Sequence, residues 1–321
     1  MASYLVTGGA GFIGSNIVEE LLGRGEAVRV LDDFSGGKRE NLDFVQRCRP
    51  AVSNYELIEG DIRDMDTCRR ACGDIDYVLH QAALRSVPRS VDEPSTTNEV
   101  NVQGTLNILL AAREAGVKRV VYASSSSVYG DSPVLPQIET QIPSPISPYA
   151  VSKLASEYYC SVFSKIYGLG TVCLRYFNVF GPRQDPESQY AAVIPRFILS
   201  AFQGERLEIH GDGLQSRDFT YVSNVVEANL LAAKAAGING EVMNIACGEQ
   251  YSLLSVADAI AEILSKKLER YHTEPRKGDI RHSLADVSKA RSLLGYQNHV
   301  TLVDGLRKTV EYFRDLINHD E

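Results

Sequence analysis

Residues 3–14 read SYLVTGGAGFIG, a short apolar run that leads directly into a glycine-rich turn. The run at residues 3–7 is typical of a strand that is buried in a parallel sheet. A helical pattern follows the glycines at residues 15–23. The stretch therefore predicts a strand, a tight turn and a helix in immediate succession, which is the opening unit of a doubly wound α/β fold.

The three glycines of this turn have the spacing G-x-x-G-x-x-G, a variant of the dinucleotide fingerprint, and they are Gly8, Gly11 and Gly14. In such a motif the first glycine permits the turn, the second lets the backbone approach a pyrophosphate, and the third lets helix and strand pack closely. The helix N-terminus then offers free N–H groups to the phosphates. We predict a bound dinucleotide at this turn.

An acidic residue after the second predicted strand, at residues 27–31, indicates which dinucleotide binds. Asp32 lies 18 residues beyond Gly14, where a carboxylate accepts hydrogen bonds from the adenosine ribose hydroxyls and repels a 2′-phosphate. NAD is therefore favoured over NADP. Lys38 and Arg39 follow closely, and we interpret them as an exposed helix start rather than a phosphate site.

Two further strand ends carry residues suited to the same ligand. A strand at 55–59 is followed by Asp61, whose carboxylate is placed to accept from the adenine amino group. A strand at 75–79 is followed by His80 and then by small residues, against which a cofactor can lie. We interpret His80 as a packed residue of the strand end.

Tyr149 and Lys153 form a Tyr-x-x-x-Lys unit, which puts both side chains on one face of a helix. A phenol has an ordinary pKa near ~10, so it is a poor base unless nearby positive charge stabilises the phenolate. We expect Lys153 and a nicotinamide cofactor to lower the pKa of Tyr149. A tyrosine of that kind can take a proton from a sugar hydroxyl while hydride leaves the same carbon.

Composition excludes several other classes of protein. The chain has 321 residues, a net charge of −8 and no basic block, so nucleic acid is not an expected partner. No apolar run is long enough for a spanning helix. Because a strand begins almost at once, we expect no signal peptide and a cytoplasmic location. Six cysteines without a C-x-x-C pair and six histidines without metal spacing indicate reduced thiols and no metal site.

Strand and helix patterns alternate through about residue 176, which predicts a doubly wound parallel sheet. The later part is more mixed, with short strands near 207–209 and 242–245 and helices near 222–236, 253–267 and 301–317. We predict an NAD-binding Rossmann domain at residues 1–176 and a smaller mixed α/β substrate lobe at 177–321, with some strands or helices exchanged between the two.

Seven ordered motifs carry a resemblance that spans essentially the whole chain. They are GGAGFIG (8–14), HQAA (80–83), ASSSSVYG (123–130), SPYAVSK (147–153), LRYFNVFGPRQ (174–184), SRDFTYV (216–222) and RKGDIRHSLAD (276–286). The chain resembles the extended short-chain dehydrogenase/reductases, within them the UDP-hexose 4-epimerases, and most of all those acting on UDP-N-acetylglucosamine. The resemblance implies NAD-dependent 4-epimerisation of a UDP-sugar through a transient 4-keto intermediate.

The resemblance also implies roles for individual residues. Tyr149 would be the catalytic base, and Lys153 would hold the nicotinamide ribose. The catalytic Ser/Thr of the family falls on Ser125, with Ser126 as the second candidate. The implied NAD contacts are Gly8, Gly11, Phe12, Ile13, Gly14, Asp32, Asp33, Asp61, Ile62, Gln81, Ala82, Ala83, Asn101 and Phe177, besides Tyr149 and Lys153.

For the UDP-sugar, the resemblance implies a diphosphate site made by Arg217 and Arg276, because guanidinium forms paired bonds to phosphate. The other implied substrate contacts are Ser86, Ser125, Ser126, Tyr149, Asn178, Val193, Glu208, His210, Asp279 and Ser283. Ser283 would lie beside the sugar 2′-substituent, where a small side chain leaves room for an acetamido group. This predicts tolerance of N-acetylated sugars and not rejection of plain ones.

Alternatives remain at this stage. Arg85 stands where the acetyl-sugar group tends to have glycine, so a carboxylate-bearing UDP-uronic acid is a second possible substrate. Residues 125–128 contain no carboxylate, which disfavours a dehydratase or a decarboxylase. A non-catalytic NAD-binding protein is disfavoured because the Tyr-Lys pair is kept. Helical patterns at 94–116 and 149–167 match those that pair across a homodimer in the family.

Overall fold

Short apolar runs form the strands of this protein, because β-branched and aromatic side chains pack well on a pleated surface. The computed structural model describes residues 1–47, 54–186, 192–275 and 280–319. Its strands are β1 (Ser3–Thr7), β2 (Ala27–Asp32), β3 (Tyr55–Glu59), β4 (Tyr77–His80), β5 (Arg119–Ser125), β6 (Gly170–Tyr176), β7 (Val179–Phe180), β8 (Leu207–His210), β9 (Ser216–Arg217), β10 (Thr220–Tyr221), β11 (Glu241–Ile245), β12 (Tyr251–Ser252) and β13 (Arg270–Thr273).

Amphipathic segments between the strands form helices. They are α1 (Phe12–Gly23), α2 (Asp43–Arg47), α3 (Met65–Cys72), α4 (Val87–Asp92), α5 (Pro94–Asn98), α6 (Gly104–Glu114), α7 (Pro148–Tyr167), α8 (Val193–Gln203), α9 (Val222–Lys234), α10 (Leu253–Leu264), α11 (Ser288–Leu294) and α12 (Leu302–His319). A π-helical turn, Glu99–Gln103, joins α5 to α6. The single helical pattern expected at 94–116 is therefore interrupted at this turn.

Seven strands form one sheet in the order β3-β2-β1-β4-β5-β6-β11. Every pair of neighbours within it is parallel. The direction in which strands are added reverses between β1 and β4. In a sheet of this type, ligands bind in the crevice at that switch point, beyond the carboxyl ends of the strands. The predicted doubly wound, Rossmann-type parallel sheet is confirmed.

Both faces of the sheet are buried, which explains why its strands are almost continuously apolar. Successive residues of β1 point to opposite faces. Val6 joins a core that includes residues of α1 and α9, whereas Leu5 joins a core that includes residues of α3, α6 and α7. Both side chains are fully buried.

Two elements of the C-terminal part are a strand of this sheet and a helix that packs on it. Strand β11 pairs with β6 in parallel, and α9 packs against β4, β5 and β6. The smaller layer contains the parallel pair β8–β13 together with α8, α10 and α12. The predicted domain boundary at residue 176 therefore separates β11 from the other six strands of the large sheet, although β11 pairs with them in space.

Three general features bear on the composition argument. No helix within the described residues is long and apolar enough to cross a membrane. The five cysteines in the described ranges are buried and free of disulfides. Within the same ranges, no cluster of three or more His, Cys, Asp or Glu side chains has an arrangement that could hold a metal ion.

Candidate active site

The glycine turn between β1 and α1 is a cradle with no room for side chains. Gly8 has a φ of +67°, and a Cβ there would lie 2.8 Å from the backbone of Ala82. A Cβ on Gly14 would lie 2.1 Å from the carbonyl oxygen of Gly8. Helix α1 begins at Phe12, directly behind this turn, so its free N–H groups face the crevice. The cradle fits the pyrophosphate of a dinucleotide.

Asp32 is buried at the end of β2 and is held by backbone N–H donors. Its two carboxylate oxygens accept hydrogen bonds from Ala10 N and Phe34 N, each at 2.8 Å. Burial raises the pKa of Asp32, and these two donors oppose that effect. A carboxylate has about four acceptor positions, so acceptors remain for ribose hydroxyls.

The two basic residues after Asp32 are paired with acids. Lys38 Nζ lies 3.3 Å from Asp185, and Arg39 pairs with Glu59 at 2.5 Å. Arg39 also stacks over the Phe34 ring at 3.9 Å. These pairings agree with their interpretation as surface residues, and the contact of Asp32 with the ribose stays a prediction.

One cavity of about 880 Å³ occupies the crevice at the switch point. Most of the predicted cofactor residues line it, together with Ser86. They are Gly8, Gly11, Phe12, Ile13, Gly14, Asp32, Asp33, Asp61, Ile62, Gln81, Ala82, Ala83, Tyr149 and Lys153. Residues at the carboxyl ends of six strands, β1 to β6, thus meet at one site, whose volume is large enough to hold a dinucleotide.

Two predicted cofactor residues are not among those that line the cavity. Asn101 is buried in the π-helical turn, where its amide donates to Leu84 O and Ser152 Oγ, each at 3.0 Å, and accepts from Leu84 N at 2.8 Å. Phe177 is fully buried and belongs to a separate apolar cluster. Asn101 thus holds Leu84, which lines the cavity, whereas Phe177 packs beside Tyr129.

His80 is a packed residue of the strand end, in agreement with its interpretation from the sequence. Its ring lies between two hydroxyls, with Nδ1 2.6 Å from Thr7 Oγ1 and Nε2 3.0 Å from Thr105 Oγ1. Burial, followed by the charge of Lys153, lowers the pKa of His80 to about 3. The imidazole is therefore neutral at physiological pH.

Tyr149 and Lys153 both line this cavity from helix α7. Ser147 caps the helix by accepting from Ala150 N at 3.2 Å, and Pro148 supplies a pre-set first helical position. Lys153 Nζ donates to Ala123 O at 2.7 Å and lies 5.9 Å from the centre of the Tyr149 ring. The start of α7 is thus tied to the end of β5.

The expectation that Lys153 lowers the pKa of Tyr149 is not met by the chain alone. Burial raises the pKa of Tyr149, and the opposing contributions come from the Ser125 hydroxyl and the charge of Arg85. Lys153 is not among the groups that lower it; burial lowers the pKa of Lys153 itself to about 8, and its amine donates to the Ala123 carbonyl. A phenolate at neutral pH requires further positive charge in the cavity.

The side chains in the run of four serines contact different groups. The Ser125 hydroxyl is near enough to the Tyr149 phenol to lower its pKa, and it accepts a hydrogen bond from Ser127 N at 3.2 Å. Ser124 lines the cavity and donates to Glu157 at 2.5 Å. Neither Ser125 nor Ser126 is among the residues that line the cavity. Of the two candidates, Ser125 is the one beside the phenol.

On the substrate side, the fold joins two predicted residues that are far apart in the chain. Asn178 Nδ2 donates to Ser283 Oγ at 3.2 Å and to Asp218 O at 3.0 Å. Asn178 has a φ of +36°, a conformation that asparagine tolerates better than most residues. Arg217 donates to the carbonyls of Ser216 and Arg281.

Three of the other predicted substrate residues, Val193, Glu208 and His210, belong to α8 and β8, which contact each other. Val193 is the first residue of α8, and Arg196 of the same helix hydrogen-bonds Glu208 of β8. His210, two residues further, has its Nδ1 2.8 Å from Thr273 Oγ1 of β13. The predicted roles of Arg276 and Asp279 fall outside the described residues.

Comparison with known proteins provides the decisive observation. The family model described as "NAD dependent epimerase/dehydratase family" matches residues 4–246. The chain belongs to this family.

Similar proteins cover nearly the whole chain. A UDP-glucose 4-epimerase of Mycolicibacterium smegmatis is 41% identical over 97% of this chain and 98% of its own length. A UDP-glucuronate 4-epimerase of Thermodesulfobacterium geofontis is 32% identical over 99% of this chain and 98% of its length. The structure of a UDP-N-acetylglucosamine 4-epimerase from Methanobrevibacter ruminantium, in complex with UDP-N-acetylmuramic acid, superposes with a TM-score of 0.92 at 41% identity, covering 98% of this chain and 99% of the other. The predicted family, the NAD cofactor and the assignment as an NAD-dependent epimerase, an isomerase, are confirmed.

Asp218 is a functional candidate of this epimerase that sequence reasoning missed. Its fully buried carboxylate accepts from Cys247 N, Gly248 N and Ala285 N at 2.9, 3.0 and 3.2 Å. Burial raises the pKa of Asp218 to about 7, against the effect of these donors. Asp218 thereby ties together the segments that carry Arg217 and Ser283, and only its place inside the motif SRDF signalled it.

Proposed function

We propose that this protein interconverts UDP-GlcNAc and UDP-GalNAc, and also UDP-Glc and UDP-Gal, by NAD-dependent epimerisation at C4′ of the sugar. The single observation that carries the proposal is that Tyr149 and Lys153 both line the cavity at the switch point, with the Ser125 hydroxyl near the Tyr149 phenol. The similarity of the chain to UDP-sugar 4-epimerases supports UDP-sugars as the substrate class.

In this proposal the protein's side chains transfer one proton, the one that leaves the sugar 4′-hydroxyl. The Tyr149 phenol, whose pKa the nearby Ser125 hydroxyl lowers, takes the proton from the 4′-hydroxyl and returns it to the 4-keto sugar in the second half-reaction. NAD, when bound, supplies the site that accepts and returns the hydride at C4′. Lys153 would hold the nicotinamide ribose, and its charge would stabilise the phenolate together with the positive charge of the bound cofactor.

Inversion requires that the 4-keto sugar turns over while its nucleotide stays bound. Arg217, with Arg276, would hold the diphosphate through charge-assisted bonds. Val193, Glu208 and His210 would flank uracil. The sugar is then free to rotate about its glycosyl–phosphate bonds and to present either face to Tyr149.

Tolerance of N-acetyl sugars is inferred from the small size of Ser283. Its hydroxyl is 3.2 Å from Asn178 Nδ2, and Asn178 matches a sugar-nucleotide contact. A serine at this position leaves space for an acetamido group, whereas an aromatic side chain would occupy it. Discrimination by steric exclusion acts on the larger sugar only.

A substrate panel tests the proposal. The protein with bound NAD is incubated with UDP-Glc, UDP-GlcNAc or UDP-GlcA, and each reaction is followed by NMR. We expect the C4′ epimers of UDP-GlcNAc and UDP-Glc to form until equilibrium is reached. Absence of epimer from every sugar would exclude the proposed activity.

The variant Ser283→Tyr tests the steric basis of specificity. We expect turnover of UDP-GlcNAc to fall by at least about tenfold relative to turnover of UDP-Glc, because an occupied pocket excludes the larger substituent. The ratio of the two kcat/KM values is the measurement. An equal loss for both sugars would show that Ser283 does not face the 2′-substituent; Ser255→Tyr, at an exposed position in α10, serves as the control.

Arg85 favours a second candidate function, epimerisation of a UDP-uronic acid. It is exposed at the cavity, its charge reaches Tyr149, and a guanidinium suits a sugar carboxylate. If this candidate is correct, Arg85→Leu should abolish turnover of UDP-GlcA selectively. An equal change with UDP-Glc would instead indicate an effect on Tyr149.

A homodimer is proposed from the outer face of α7. Tyr158, Val162 and Ile166 are 60%, 42% and 69% exposed there, while the opposite side of the helix buries Lys153 and Cys160. An apolar stripe of this kind on a long helix is typical of an interface. A second copy of the chain is the expected partner.

The variant Val162→Asp/Ile166→Asp tests this interface. We expect it to be monomeric by light scattering while the unchanged protein is dimeric, because two carboxylates would be buried per copy. Ile142→Asp, at a 91% exposed position outside the helix, is the matched control. A dimeric double variant would place the interface elsewhere.

A further inference from the structure

A buried ion pair lies directly behind the reacting groups. Glu157 and Arg175 have side chains that are only 3% and 4% exposed. Arg175 Nε donates to Glu157 Oε1 at 2.9 Å, and a terminal guanidinium nitrogen donates to Oε2 at 2.7 Å. The pair is thus bidentate, which is the strongest geometry for these two groups.

This pair belongs to a larger set of contacts, here called the Glu157 network, which comprises Glu157, Arg175, Ser124, Tyr129 and Asn244. Glu157 Oε1 also accepts from Ser124 Oγ at 2.5 Å. Arg175 stacks over the Tyr129 ring at 4.7 Å, and Tyr129 OH donates to Asn244 Oδ1 at 2.7 Å. Ser124, Arg175 and Asn244 are register partners on adjacent strands, so the network ties α7 to the carboxyl ends of β5, β6 and β11.

The network bears on Lys153 through helix geometry. Glu157 lies four residues after Lys153 on α7, on the same face of the helix. The titratable side chains facing Lys153 come from three strands and α7 itself, and they are His80, Tyr122, Tyr149, Glu157, Cys160 and Cys173. Among these, Glu157 is the one carboxylate, so it is the anion that favours the ammonium form of Lys153.

We propose that Glu157, held by Arg175, is a positioning residue of the epimerase: it fixes Ser124 at the end of β5 and keeps Lys153 protonated beside Tyr149. The inference rests on the proposed function for its kinetic consequence. The Lys153 amine donates a hydrogen bond to Ala123 O, and the Glu157 carboxylate accepts one from Ser124 Oγ. Ala123 and Ser124 are consecutive residues at the end of β5. The next residue, Ser125, is the one whose hydroxyl lowers the pKa of the Tyr149 phenol.

A purely structural role would not explain the choice of charged residues. Two buried charges cost desolvation energy, and an apolar pair of similar volume is often as stable. Burial lowers the pKa of Lys153 to about 8, and the negative charge of Glu157 opposes that change. Removal of the carboxylate should lower this pKa further, so that Lys153 loses its charge nearer to neutral pH.

Two variants test the proposal. Glu157→Gln removes the charge but leaves Arg175 buried without a counter-charge. Glu157→Leu/Arg175→Met removes both charges, so no buried charge is left without a partner. The double variant can therefore be measured even if the single variant folds poorly. In Glu157→Gln the alkaline limb of the kcat profile against pH should move to lower pH by about one unit, the shift expected for loss of a nearby opposite charge. In the double variant it should move in the same direction by a smaller amount, because the positive charge of Arg175 is removed as well. Glu157→Asp, which retains the charge, should return the limb towards its original position.

A direct titration of Lys153 separates this inference from the proposed function. Lysine labelled at Cε is followed by NMR in the protein with bound NAD, and Lys153→Arg identifies the resonance. The Lys153 titration should move to lower pH in both variants. Glu26→Gln, which removes a carboxylate paired with Lys234 at 2.8 Å, should leave it unchanged. An unshifted Lys153 titration in the variants would overturn the inference, whether or not the unchanged protein epimerises any UDP-sugar.

Discussion

Replacement of Tyr149 by Phe is expected to lower kcat by about a thousandfold, within the range attributed to a positioned acid–base group. The phenol is the group beside Ser125 that can exchange a proton with the 4′-oxygen. The change removes one oxygen and leaves the ring and its packing in place. Bound NAD should therefore be retained, and the measurement is epimer formation per molecule of NAD-loaded protein.

Tyr159→Phe is the matched control for this experiment. It makes the same chemical change on the same helix, at a side chain that is 37% exposed and does not line the cavity. Its kcat should stay within about twofold of the unchanged protein, as is usual for an exposed position. Near-normal epimerisation by Tyr149→Phe would show that another group transfers the proton.

Gly14→Ala is expected to abolish NAD binding and to destabilise the fold by about 3 kcal/mol, at the upper end for an overpacked site. The added Cβ would lie 2.1 Å from Gly8 O and 2.8 Å from the Gly9 Cα. Because the obstacles are backbone atoms, helix α1 must move away from β1 to make room. That movement displaces the N–H groups that would receive the pyrophosphate.

Gly23→Ala provides the control in the same helix. A Cβ there meets nothing within 4 Å, so the variant should be as stable as the unchanged protein or up to about 1 kcal/mol more stable. Thermal unfolding and NAD titration by fluorescence measure the two effects. Unchanged NAD affinity in a folded Gly14→Ala protein would mean that the cofactor does not use this turn.

The first strand, the glycine turn and the first helix follow from local spacing. Strand β1 occupies residues 3–7 as predicted, and α1 begins three residues before the predicted start. The turn needs residues without side chains at fixed intervals, and only glycine meets that need. Such short-range signals also indicated the parallel sheet, Asp32 and the Tyr-x-x-x-Lys pair.

The pKa of Tyr149 shows where local reasoning is insufficient. Spacing put Lys153 on the correct face of α7 but did not reveal that its amine is bound to Ala123. Nor did it reveal that burial raises the pKa of the phenol, with Ser125 and Arg85 opposing. These effects depend on which strand ends surround the helix, and a pattern within one segment carries no record of its neighbours.

The order of residues along the chain was therefore enough for the sheet, the cofactor and the family, since each depends on periods and intervals of a few residues. Packing alone brought Ser283 to Asn178 across 105 positions and gathered three segments on Asp218. It also put Glu157 and Arg175 behind the reacting tyrosine. Contacts of this kind form when distant segments exclude water together, so their partners become visible only in the folded molecule.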